Sequence, residues 1–213
     1  MTDFSTKQEE FWAGEFGDEY TGRSRGADRV ASNIALFSKV LARTDTVKTV
    51  IEFGANIGLN LQAIRQLLPT ADLSAIEING KAVDELQRLG YVKVYRESIL
   101  DFKPDYPRDF VLVKGVLIHI NPDYLPRVYD LLYGTTSRYI CLAEYYNPSP
   151  VSIPYRGHED RLFKRDFAGE LLRRFVDLRL IDYGFVYHRD PKFPQDDITW
   201  FLLEKAAKLQ AGR

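Results

Sequence analysis

The chain has 213 residues, 45% hydrophobic and 28% charged, with a formal net charge of −1. Such values suit one α/β domain with some decoration and supply no global pull toward nucleic acid. The single cysteine, Cys141, excludes an intrachain disulfide and a thiolate metal site, and with only three histidines beside it no metal centre is expected. No apolar run approaches the roughly 20 residues that span a bilayer, and the first ten residues lack the basic-then-apolar pattern of a signal peptide, so a cytoplasmic location is expected.

In chain order, residues 1–23 place Phe11, Trp12, Phe16 and Tyr20 at helical spacing among Gly14, Gly17 and Gly22. Two readings are open: an arm packed on the core, or a lid whose glycines permit movement while its aromatics exclude water. Residues 1–46 are therefore set apart as an N-terminal arm and helix, the helix running from Ala27 to Arg43 with Val30, Ile34, Phe37 and Leu41 on one face. Lys48–Phe53 reads as a strand buried on both faces. A helix from Leu59 to Leu68 stops at Pro69, a strand follows at Leu73–Ile78, and a helix from Lys81 to Leu89 closes at Gly90. Further strands are expected at Val92–Tyr95, Asp109–Val113 and Tyr139–Ala143, with a helix at Leu125–Leu132. Asp160–Phe175 reads as a charged helix, and Leu178–Tyr187 with Ile198–Leu203 as a closing pair of strands. Alternating strands and helices predict a doubly wound, mostly parallel sheet with an antiparallel closing strand. In such sheets ligands sit outside the carboxyl ends of the strands.

The most informative stretch is Thr49–Gly58, Thr-Val-Ile-Glu-Phe-Gly-Ala-Asn-Ile-Gly. Gly54 permits a sharp turn without a Cβ against the ligand, and Gly58 permits close packing of the following helix. A dinucleotide loop places a middle glycine where a pyrophosphate passes, whereas Ala55 and Asn56 fill that space here. The loop thus suits an adenosine carrying an amino-acid tail. Glu77, at the end of the second strand, is placed to accept from both ribose hydroxyls, and its charge disfavours a phosphorylated ribose.

From Val47 to Leu203 the chain resembles class I S-adenosylmethionine-dependent methyltransferases. The likeness rests on Val50–Gly58, on Ala-Ile-Glu-Ile-Asn at Ala75–Asn79, and on Phe110–Ile120. It implies a Rossmann-like methyltransferase domain over residues 47–213 and S-adenosylmethionine as cofactor. Glu52 and Gly54, Ala55, Asn56 and Gly58 would lie against the methionine part, Glu77 on the ribose and Ile78 on the adenine. Ser98 and Ile99 would face the adenine edge, and Lys114 and Gly115 would pass beside the methionine chain. Phe11–Arg23 and Glu144–Gly169 resemble, more narrowly, methylases associated with pseudaminic acid biosynthesis, implying a small-molecule acceptor in a sugar-modification pathway.

The segment after the fifth strand, Glu144–His158, is dense in polar and aromatic side chains and stiffened by Pro148, Pro150 and Pro154, as a binding loop would be. His119, Glu144 and Tyr146 are the catalytic candidates. His119 would serve as general base, or else satisfy a backbone carbonyl. Glu144 would act as base or orient the substrate, and Tyr146, with Tyr145 and Tyr155, would wall the sulfonium. Substrate contacts are expected from Trp12, Tyr20, Arg23, Tyr145, Tyr155, Arg156, His158 and Lys164. Arg156, Lys164 and Arg165 together suggest an anionic acceptor, although the two helix cations also suit a solvated face. An RNA methyltransferase, or a protein that binds the cofactor without catalysis, is the alternative in a different class.

Overall fold

The computed structural model describes residues 4–23 and 26–206, with Arg23 given by its backbone alone. The expected substrate contact from the Arg23 side chain therefore lies outside the described residues.

Seven strands form one sheet in the order β3-β2-β1-β4-β5-β9-β8. They are β1 (Thr49–Phe53), β2 (Asp72–Glu77), β3 (Val92–Arg96), β4 (Arg108–Lys114), β5 (Thr136–Glu144), β8 (Leu178–Val186) and β9 (Ile198–Lys205). Pairings from β3 through β5 are parallel, and β9 runs antiparallel to both β5 and β8. The alternation of strand side chains divides the core in two. Val50, Leu73, Ala75, Phe110, Leu112 and Cys141 meet helices α3 (Ala27–Leu41), α4 (Leu59–Leu67) and α5 (Gly80–Arg88). Ile51, Phe53, Ile76, Val111, Val113 and Leu142 meet α6 (Leu125–Thr135) and α7 (Phe167–Arg174) on the opposite face. With helices on both sides the sheet is a doubly wound α/β structure of the Rossmann-like methyltransferase type. The chain walks outward from β1 to β3 and returns to β4 beside β1. A switch point, with its crevice, lies above the carboxyl ends of those two strands.

Two short helices precede this core, α1 (Lys7–Ala13) and α2 (Glu15–Arg23). Both are moored to the first turn of α5. The Asn79 amide caps α5 through its oxygen, which accepts from the Ala82 N–H at 3.0 Å, and its nitrogen donates to the Trp12 carbonyl at 3.2 Å and to Asp18 at 2.9 Å. Lys81 adds an ion pair to Asp18 at 2.7 Å. Gly17 is required where the two short helices touch, because a Cβ there would stand 1.8 Å from the Trp12 carbonyl oxygen.

The segment expected to be a binding loop followed by a helix is instead a β-hairpin, β6 (Val151–Tyr155) and β7 (His158–Lys164). Its turn is Arg156–Gly157, both at positive φ (50° and 83°), the backbone of a tight two-residue hairpin turn. Pro154 obscured the strand in the sequence. It is tolerated because this sheet has only two strands and the register shifts beside it. The charges of Glu159–Arg161 belong to an exposed strand, and only Phe167–Arg174 of the expected helix is helical.

Candidate active site

A cavity of about 430 Å³ opens above the carboxyl ends of β1, β2, β3 and β4. Its floor is the β1–α4 turn. Gly54 (φ 71°) turns the chain beside Val116, whose methyl would lie 2.7 Å from a Cβ at Gly54. Gly58 (φ 80°) lets α4 start against Leu86, 2.7 Å from where its Cβ would be. Asn56 also takes positive φ (48°), and its N–H donates to Glu77 Oε2 at 2.7 Å, while the Asn79 N–H donates to Oε1 at 2.8 Å. Glu77 is thus a buried carboxylate cross-linking the first loop to the start of α5. Each oxygen keeps a further lone pair for a ligand, since the carboxylate has about four acceptor sites. Burial raises its pKa, and the backbone N–H groups of Asn79, Asn56 and Ile78 oppose that rise.

Farther along the same floor, Asn60 donates to Glu52 Oε1 at 2.5 Å. This fixes the amide so that Asn60 Oδ1 is the acceptor left over. Asn60 Oδ1 and Asn56 Oδ1 are both buried and unpartnered, and both residues line the cavity with the half-buried Lys114. Burial pushes Glu52 up to about 8 and holds Lys114 below the usual lysine range, with the attraction of each for the other opposing both shifts. A carboxyl with a raised folded pKa contributes stability fully below its unfolded pKa, and that contribution is lost as pH rises through the folded value. Lys114 has the opposite sign, so the test is a difference. Glu52→Gln is expected to gain stability relative to the parent by about 1.4 kcal/mol per pH unit between pH 6 and 8. Denaturant unfolding across that window reads the gap; a pH-independent gap would show that Glu52 titrates normally.

The turn after β4 presents His119. Glu144 ends β5 beneath it, and its Oε1 accepts from the N–H groups of Val116 and Leu117, both at 2.9 Å. His119 Nδ1 lies 2.5 Å from the Arg161 carbonyl, which can only accept, so Nδ1 carries the proton and Nε2 the lone pair. Burial lowers the ring to about 4, so it is neutral near pH 7. The Trp12 ring stands 4.7 Å from the imidazole, and Tyr155 stands 4.9 Å from it on another side.

The cavity lining brings together Gly54, Ala55, Asn56, Glu77, Ile78, Ser98, Ile99, Lys114, Gly115, His119, Trp12, Tyr20, Tyr145 and Tyr155. Glu52, Gly58 and Glu144 support the lining without reaching it. The geometry gives Glu144 the task of holding the His119 turn in place of direct contact with an acceptor. Four expected site residues stand elsewhere. Tyr146 is 43% exposed with its ring against Phe201. Arg156 occupies the hairpin turn, and Lys164 sits over the Tyr145 ring. His158 packs on Phe11 and Phe16. The hairpin carries Arg156, His158 and Lys164 away, Tyr146 stands on the segment before it, and Arg165 is paired with Glu170 at 2.7 Å. The cationic cluster invoked for an anionic acceptor does not assemble at the cavity.

Several lining residues were missed. Glu9 and Gln8 come from α1, Asn60 from α4, and Asn33 with Gln195 forms a buried pair at 3.1 Å. Arg29 and Asp196 pair across the mouth at 3.9 Å. Ser32 and Asn33 left a signal, being polar positions on the inward side of an amphipathic helix. Among the described residues no group of His, Cys, Asp and Glu could hold a metal ion, and no helix is long and apolar enough to cross a membrane.

No family model and no curated protein matches the sequence. Solved structures do match the fold. The plantazolicin methyltransferase BpumL, in complex with a pentazolic desmethylPZN analog and SAH, is 14% identical over 93% of this chain and 95% of its own, with a TM-score of 0.63. The 1,6-didemethyltoxoflavin-N1-methyltransferase of Burkholderia thailandensis, with bound 1,6-didemethyltoxoflavin and S-adenosylhomocysteine, is 16% identical over 94% and 87%, at 0.66. Magnesium protoporphyrin IX methyltransferase of Synechocystis PCC 6803 is 13% identical over 93% and 97%, at 0.65. At these identities the likeness establishes a methyltransferase fold.

Proposed function

We propose that the protein is an S-adenosylmethionine-dependent methyltransferase acting on an oxygen or nitrogen of a small polar acceptor. The observation that carries the reading is the polar floor of the cavity. Glu77 offers acceptors suited to ribose hydroxyls at the end of β2. The orphaned oxygens of Asn56 and Asn60, beside Lys114, match the ammonium and carboxylate of an amino-acid tail. The cavity volume is within the range of small-ligand sites, about 300–1,000 Å³. The solved structures of like fold include the 1,6-didemethyltoxoflavin-N1-methyltransferase and the mitomycin 7-O-methyltransferase MmcR, with S-adenosylhomocysteine bound in the former.

When bound, the cofactor supplies an electrophilic methyl group on sulfur. The protein has to bring the acceptor atom into line, exclude water and take up a proton. His119 Nε2 is the proton acceptor, held in the required tautomer by the Arg161 carbonyl. Trp12, Tyr20, Tyr145 and Tyr155 wall the acceptor side, the first two reaching it from α1 and α2. Arg29 pairs with Asp196 at the mouth, and among the described residues no cationic cluster gathers in the lining, which favours a neutral or modestly charged acceptor over a strongly anionic one. The resemblance of the arm and hairpin segments to methylases associated with pseudaminic acid biosynthesis points to sugars carrying at most a carboxylate as first acceptors. Calorimetric titration with S-adenosylmethionine and S-adenosylhomocysteine tests the reading: micromolar binding is expected, and failure of both to bind would sink it.

A further inference from the structure

We propose that Glu9, on the N-terminal arm, reads the exocyclic amino group of the cofactor's adenine, so that α1 is part of the cofactor site. The inference rests on the S-adenosylmethionine reading and specifies one residue of it. With the ribose at Glu77, the base falls on the adjoining lining, where Ile78 follows β2 and Ile99 follows β3. Aliphatic side chains there suit the faces of a planar heterocycle, and the polar groups at the rim, Ser98, Glu97 and Glu9, are left to read its edge.

Glu9 is 7% exposed and lines the cavity although it belongs to a helix outside the sheet. Its Oε2 accepts from the Thr6 hydroxyl at 3.1 Å, and its N–H donates to the same hydroxyl, as at a capped helix start. Capping accounts for that oxygen alone. Oε1 instead accepts from the Ser98 hydroxyl, 89 residues away at the end of β3. Among the described residues no cation pairs with the carboxylate. A buried carboxylate without a cation is costly unless donors surround it, and two hydroxyls leave acceptor capacity on both oxygens. Adenine supplies an N–H donor there. Hypoxanthine, with a keto oxygen at that position, would meet the carboxylate lone pair to lone pair.

The test is binding of S-adenosylhomocysteine and S-inosylhomocysteine by the full-length protein and three variants, read by calorimetry. The parent should prefer the adenine ligand by about 10- to 100-fold, the range for a hydrogen bond to a charged group. Glu9→Ala should bring the two within about threefold. Glu9→Gln should do the same, because an amide can accept from the amino group or donate to the keto oxygen, and it stands in if the alanine variant does not fold. Ser98→Ala removes one donor to Oε1 but keeps the carboxylate, so it should keep the ratio of the two ligands even where both bind more weakly. A residue that merely anchored the arm would weaken both ligands alike and leave their ratio unchanged. A ratio retained in both Glu9 variants, a ratio lost in Ser98→Ala instead, or no preference in the parent would each overturn the inference while the cofactor reading survives. Absence of any S-adenosylhomocysteine binding to the parent would overturn both.

Discussion

Glu77→Ala is expected to weaken S-adenosylhomocysteine binding by about 10²- to 10⁴-fold, measured by calorimetry on protein that retains its circular dichroism. Each hydrogen bond to a charged acceptor is worth roughly 1.5–3 kcal/mol, and on the proposed reading two ribose hydroxyls lose theirs. The substitution also strips the partners from the N–H groups of Asn56 and Asn79. The first loop holds Asn56 at positive φ, a conformation that a non-glycine residue keeps only when its surroundings impose it. Losing the carboxylate therefore loosens the loop as well as the ligand. Affinity within twofold of the parent would remove Glu77 from the cofactor site.

His119→Ala should leave the Kd for S-adenosylhomocysteine within about threefold and lower turnover by about 10²–10⁴-fold, the usual contribution of a general base. Incorporation of labelled methyl groups into an acceptor reads it. The pH profile separates this role from packing. Burial holds the ring at about 4, so the parent should keep its activity well below pH 6.5, the midpoint of an ordinary histidine. The same shift carries a stability cost: a ring kept neutral in the fold contributes stability that is present above the unfolded pKa and lost as pH falls from about 6.5 toward 4. Unchanged turnover in the alanine variant, or an acid limb centred near 6.5, would exclude His119 as the base.

The first half of the domain was legible in sequence because its signals are local. Apolar runs marked β1, β2 and β4, each ended at a charged residue or a glycine, and those ends line the cavity. Strand ends differ from the sequence expectation by at most three residues, as fraying and bulges permit. The hairpin was not legible. Its strand character is carried by pairing across the Arg156–Gly157 turn, while its composition, charged and interrupted by Pro154, reads as loop and then as helix. Arg156, His158 and Lys164 were consequently assigned to a cavity they do not reach, and Tyr146 with them. Glu9 and Asn60 were missed for the converse reason. Nothing in Thr-Lys-Gln-Glu separates a helix cap from a group that crosses to β3, and the Glu52–Asn60 contact depends on one turn of helix packing back on its strand.

The mooring of the two short helices sets an order of events in folding. The Trp12 carbonyl waits for Asn79, 67 residues later, and the Gln8 amide for the Asp160 carbonyl, 152 residues later. Contacts of that separation form after the loops between them are closed, and they contribute nothing until then. The two short helices ahead of the sheet are thus among the last elements to settle, and the cavity is complete only once they do. The chain holds two tryptophans, Trp12 on the moored segment and Trp200 inside the sheet. Refolding of Trp12→Phe and Trp200→Phe variants, each followed by the fluorescence that remains, should show the sheet reporter recovering first. Coincident recovery would mean that the two assemble as one unit.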